Sequence, residues 1–211
     1  FFSDIAGPGT YWIKYTYTDV NGCVNSDSTQ ITVNALPEVT LDNFEDICFD
    51  SEPVALSGGT PAGGTYSGTG VSGGTFYPDV SGSGTFTIFY EYTNPTTNCT
   101  NLDSAYIIVH PLPEVSSATF SDVCVDAEPF TLQDGTPAGG TYTGTGVGAN
   151  NVFNANVAGV GTHQLVYTFE IIETSCIGRD TNTITVNPLP EITISSLADV
   201  CEDAEPFILD I

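Results

Sequence analysis

The sequence predicts an all-β chain built of small sandwich domains in tandem, and three observations carry that expectation. The chain repeats itself every 76 to 77 residues. Within each copy apolar residues alternate with period two, and clusters of glycine and proline separate the alternating stretches.

The repeat is read directly. Leu36-Pro37-Glu38-Val39 returns as Leu112-Pro113-Glu114-Val115 and as Leu189-Pro190-Glu191-Ile192. Gly59-Thr60-Pro61-Ala62-Gly63-Gly64-Thr65-Tyr66 returns unchanged at 135–142. The units that follow are the last part of one copy (1–35), two complete copies (36–111 and 112–188) and the opening of another (189–211). On this reading both ends cut through a domain. The joints at 34–37, 110–113 and 187–190 are short and proline-stiffened, which limits the angles between neighbours and suits a head-to-tail rod.

The elements follow from the alternation. Ile13, Tyr15 and Tyr17 form one apolar face of a strand, matched by Ile88, Tyr90 and Tyr92 and by Leu165, Tyr167 and Phe169. The next strand sets Ile31 and Val33, Ile107 and Val109, and Ile184 and Val186 inward, and an earlier one contributes Val54 and Leu56, Phe130 and Leu132, and Phe207 and Leu209. No stretch has helical periodicity. About seven short strands in a copy, with turn residues every 8 to 12, describe an immunoglobulin-like sandwich.

Composition narrows the function. The chain of 211 residues is 40% hydrophobic, with 12 Phe and 10 Tyr, enough for packed cores. Lys14 and Arg179 are the only cations beside 26 acidic residues, for a net charge of −24. Nucleic acids and anionic membrane surfaces are excluded as partners, because both need clustered Lys and Arg. No apolar run approaches the roughly 18 residues that would span a bilayer. The chain holds no Met and opens Phe1-Phe2-Ser3, so signal and sorting segments are expected outside it.

One copy can be written as Cys-x-Asp-x-Glu-Pro, then Gly-Thr-Pro-Ala-Gly-Gly-Thr-Tyr, then Gly-x-Gly-Thr before the aromatic strand, a hairpin cysteine and a closing Leu-Pro-Glu. This pattern resembles the immunoglobulin-like or PKD-like repeats of giant Bacteroidota surface adhesins, over the whole chain. The resemblance implies export by the type IX route, a place at the cell surface, and roles in attachment and gliding motility. It implies no catalytic residue.

Six cysteines fall in two registers, Cys48, Cys124 and Cys201 in one and Cys23, Cys99 and Cys176 in the other. Without a Cys-x-x-Cys they argue for structural disulfides in an oxidising compartment. In a sandwich Cys48 lies near the C-terminal pole of its domain and Cys99 near the opposite pole, a strand length of roughly 25 Å away, whereas a disulfide needs Cα atoms within about 7 Å. A bond between domains, Cys48 to Cys176, is therefore favoured. Cys99, Cys124, Cys23 and Cys201 would then find partners beyond this sequence. The pairs Cys48 with Cys99 and Cys124 with Cys176 stand as the alternative.

Acidic residues flank one register: Asp46, Asp50 and Glu52 recur as Asp122, Asp126 and Glu128 and as Asp199, Asp203 and Glu205, while Asp27, Asp103 and Asp180 follow the hairpin cysteines. Carboxylates converging at a junction are what calcium requires, so these residues are a candidate interdomain calcium site with a solvated acidic rim as the alternative. The Asp-Ser pairs at Ser28 and Ser104 resemble O-glycan attachment sites of the same bacteria, and the third copy, Asp180-Thr181, departs from them. Asn98-Cys99-Thr100 fits a glycosylation sequon by letters only. Gly68-x-Gly70-x-x-Gly73 has no following helix and reads as a turn. His110 and His163 match no histidine in the other copies, so no triad or acid/base pair is marked and no enzyme is expected.

The expected function is a structural stalk of a secreted bacterial adhesin, whose partners are neighbouring repeats and, through distal domains, extracellular surfaces or glycans. A glycan-binding repeat or a self-assembling filament is the alternative. Trp12 has Thr87 and Gln164 at its equivalents, so no aromatic platform is repeated.

Overall fold

The alternating stretches form antiparallel hairpins in the computed structural model, which describes residues 1–194, 196, 199–206 and 208. The first joins β1 (Gly9–Thr18) to β2 (Val24–Val33), from Gly9 opposite Val33 to Thr18 opposite Val24. Asp19 closes its turn by accepting the backbone N–H groups of Cys23 and Asn21. Those bonds, that from Cys23 foremost, hold the Asp19 carboxyl below the usual carboxylate range.

By their contacts the residues divide into two units, Phe1–Leu112 with Ile171–Cys176, and Pro113–Glu170 with Ile177–Ile211. Beyond the β1–β2 hairpin, the first unit holds a sheet of β3 (Ile47–Cys48), β4 (Thr65–Ser67), β5 (Gly84–Thr93) and β6 (Thr100–His110), in the order β3-β6-β5-β4. β5 and β6 repeat the register of the first hairpin, with Gly84 opposite Val109 and Thr93 opposite Thr100. β3 runs parallel to the end of β6, Ile47 beside Val109 and Cys48 beside His110. Two-residue strands complete the unit: Thr40–Leu41 pairs with Gly59–Thr60, and Thr75–Phe76 lies between Val54–Ala55 and Val71–Ser72. Leu56, Phe76, Ile88, Ile107 and Val109 form its core. Each such side chain contributes roughly 1.5–3 kcal/mol by leaving water.

The second unit repeats the plan with β7 (Val123–Cys124), β8 (Thr141–Gly144), β9 (Gly161–Ile171) and β10 (Cys176–Asn187), in the order β7-β10-β9-β8. Its core gathers Leu132, Tyr142, Phe153, Leu165, Tyr167, Ile184 and Val186.

In both units a tyrosine of the long hairpin locks the glycine-rich loop. The Tyr90 hydroxyl accepts from the Gly64 N–H at 2.7 Å and donates to the Pro61 carbonyl at 2.6 Å, and Tyr167 does the same with Gly140 and Pro137. The ring lies so close that a Cβ on Gly64 would fall 2.5 Å from it and 2.5 Å from the Glu91 carbonyl. This accounts for the glycine at 64 and its counterpart at 140.

Two expectations change. The chain is nearly, not wholly, β: single helical turns occur at Ser3–Ala6, Pro78–Ser81 and Ala155–Ala158. Four residues make little more than one turn, too few for a 3.6-residue period to show in sequence. Ile13, Tyr15, Tyr17 and Ile31, expected in a core, are 39%, 70%, 57% and 39% exposed. β1 and β2 form a two-stranded sheet of their own among the described residues, with no second layer to bury that face. Phe207 and Leu209 lie outside the described residues.

Candidate functional site

The cysteine corner of the first unit is built by a turn that follows β3. The Ser51 N–H donates to the Cys48 carbonyl and the Ser51 hydroxyl accepts from the Cys48 N–H, while the Phe49 N–H continues the ladder to the His110 carbonyl. Asp46 and His110 face each other, Oδ2 to Nε2, at 3.0 Å. The same turn recurs where Ala127 N–H donates to the Cys124 carbonyl and Ala204 N–H to that of Cys201.

The second register has its own geometry. Cys23, Cys99 and Cys176 all sit where a hairpin turn hands the chain to its second long strand. β6 separates Cys99, just before Thr100, from Cys48, beside His110, by eleven residues. That is about 35 Å of extended strand, far beyond the reach of a disulfide.

Cys48 is bonded instead to Cys176, with Cα atoms 5.5 Å apart and a sequence separation of 128. The segment Ile171–Cys176 that carries this cysteine groups by contacts with the first unit. Its turn is closed by Thr174 and Ser175 N–H groups on the Ile171 carbonyl, and Cys176 is fully buried. The pairs Cys48 with Cys99 and Cys124 with Cys176 therefore do not form in this structure. Cys23, Cys124 and Cys201 carry exposed free thiols and Cys99 a half-buried one.

Among the described residues no three of His, Cys, Asp and Glu stand close enough to hold a metal ion. Asp46, Asp50, Glu52, Asp122, Asp126 and Glu128 are exposed, as an acidic rim would be. Asp103 and Asp180 are spent on the backbone of the opening strand. Asp103 Oδ2 accepts the Leu41 N–H at 2.9 Å, and Asp180 Oδ2 accepts the Ser117 N–H at 2.7 Å and its hydroxyl at 3.0 Å. The Ser117 bonds, the backbone one first, hold the Asp180 carboxyl low. Four-residue spacing after a cysteine does not say which donor a carboxylate meets, and here each of these two meets a backbone N–H.

Ser28 and Ser104 are exposed on their strands, each N–H bonded to the carboxylate of the Asp before it. The tyrosine–glycine lock escaped the sequence reading, although its signal was present: the loop and the tyrosine recur together in both complete copies. Among the described residues no helix is long and apolar enough to cross a membrane.

No family model matches the sequence, and no curated protein matches it. Among solved structures the chain resembles a Ca²⁺-stabilized adhesin described as helping an Antarctic bacterium reach out and bind ice, at 14% identity and a TM-score of 0.37. The likeness covers 87% of this chain and 57% of that one, so the chain spans little more than half of its length. A likeness at that level assigns neither ice nor calcium to this protein.

Proposed function

We propose that this chain is a spacer segment of a secreted bacterial surface adhesin, in which tandem immunoglobulin-like domains are fastened head to tail by disulfides and hold a binding region away from the cell. One observation carries the reading: the bond Cys48–Cys176 joins the two cysteine registers across consecutive copies of the repeat. A bond confined to one copy would stabilise a domain; one between copies fixes neighbours to each other, which serves a stalk. The same pairing rule assigns Cys99 to an earlier copy and Cys124 to a later one. The resemblance to Bacteroidota adhesin repeats adds attachment and gliding as the setting, and the net charge of −24 suits a long extracellular protein that must stay dispersed.

The test is to pull the chain by its two ends, oxidised and reduced. With the bond intact the stretch between the two cysteines, a sequence separation of 128, cannot extend. Reduction should lengthen the fully unfolded chain by about 440 Å, at ~3.3–3.6 Å per residue. Equal lengths before and after reduction would remove the fastening and with it the reading.

A further inference from the structure

We propose that the outward face of the β1–β2 hairpin is an acceptor for the opening segment of a repeat, a polypeptide of the kind spelled by residues 36–76. The inference rests on reading the chain as copies of one repeat, and names the partner that one copy's surface fits.

The two hairpins of the first unit share one register. Tyr15 lies opposite Asp27 and Tyr17 opposite Asn25 in the first, as Tyr90 lies opposite Asp103 and Tyr92 opposite Asn101 in the second. On the second hairpin three of these groups, Tyr90, Asn101 and Asp103, are met by residues 36–76. The Asn101 side-chain amide donates to the Pro37 carbonyl, Asp103 accepts the Leu41 N–H, and Tyr90 bonds the Pro61 carbonyl and the Gly64 N–H. Ile88 and Tyr90 are 0% and 2% exposed there, against 39% and 70% for Ile13 and Tyr15. The second unit presents the same coverage of Leu165 and Tyr167.

Both edges of the first hairpin are also free among the described residues. The edge of β5 takes Thr65–Ser67 at Phe89, Tyr90 and Glu91, and the end of β6 takes Ile47–Cys48 at Val109 and His110. Their equivalents on the first hairpin are Lys14, Tyr15 and Thr16, and Val33 and Asn34. A groove of about 210 Å³ already opens between Ile13, Tyr15, Asp27, Ser28 and Thr29. Apolar face, polar anchors and edges thus agree on one occupant, held by strand addition and a buried aromatic.

The probe is a polypeptide of residues 36–76 carrying Cys48→Ser, added to the oxidised full chain and followed by amide hydrogen exchange. Saturable binding should slow exchange across residues 9–33 by about tenfold or more. Tyr15→Phe and Asp27→Asn in the full chain should each weaken binding severalfold, and a scrambled polypeptide should not bind. Because a free polypeptide of this length can fail to order itself, the same segment fused ahead of Phe1 is the second arm. Residues 9–33 left unprotected in the fused chain would overturn the proposal. So would protection of 9–33 by self-association of the chain alone, which would make a second copy the occupant. The Cys48–Cys176 extension test does not involve residues 9–33, so either result can fail without the other.

Discussion

Tyr90 holds the first unit's glycine loop through one oxygen atom that both accepts and donates, to Gly64 and Pro61. Tyr90→Phe leaves the ring packed against Tyr66, 4.7 Å between centroids, but strands a half-buried N–H and a carbonyl. An unmet buried group costs about 1–3 kcal/mol, so the unfolding free energy of the full chain should fall by that much, seen as a lower urea midpoint at unchanged slope. Tyr15→Phe is the control: Tyr15 is 70% exposed, and its substitution should change stability by less than about 0.5 kcal/mol. If the two substitutions cost the same, the lock at Tyr90 contributes nothing.

Strands with nearly the same alternation meet different fates, and the difference lies in what covers them. Ile88 and Leu165 are fully buried, whereas Ile13 at the same point of the repeat is 39% exposed. Ile88→Ala and Leu165→Ala should each cost about 2–5 kcal/mol by leaving a cavity, and Ile13→Ala should cost less than about 1 kcal/mol, read from denaturant unfolding. The alternation made the long hairpins legible in the sequence, because a period of two is visible over ten residues and is confirmed when it recurs. The cysteine topology was legible for a related reason: once β6 is a strand, its two ends cannot share a bond. Other features were hidden. A one-turn helix such as Pro78–Ser81 has no period to read, and Phe76, fully buried, stands at the tip of a two-residue strand where alternation has no length. The backbone partners of Asp103 and Asp180 were hidden because residue type marks a carboxylate as a metal donor or an acceptor alike, and only the fold brings Leu41 and Ser117 to them.

For the molecule as a whole, the bond between Cys48 and Cys176 closes a covalent ring that contains both Cys99 and Cys124. A single protease nick anywhere in that ring cuts the backbone and releases nothing. Brief digestion that cleaves once in the glycine-rich stretch 144–149, exposed at Thr145 and at Gly148 and Ala149, should therefore leave one band on an unreduced gel and two on a reduced one. Cys48→Ser should give two bands on both. Applied along an array by the pairing rule proposed above, each ring begins before its predecessor ends, since Cys124 precedes Cys176 and Cys48 precedes Cys99. Such a chain is spliced like rope, with every stretch of backbone bridged by another. In a medium full of foreign proteases two cuts between the same two splices free only the peptide between them, and damage to one repeat is survived by the whole.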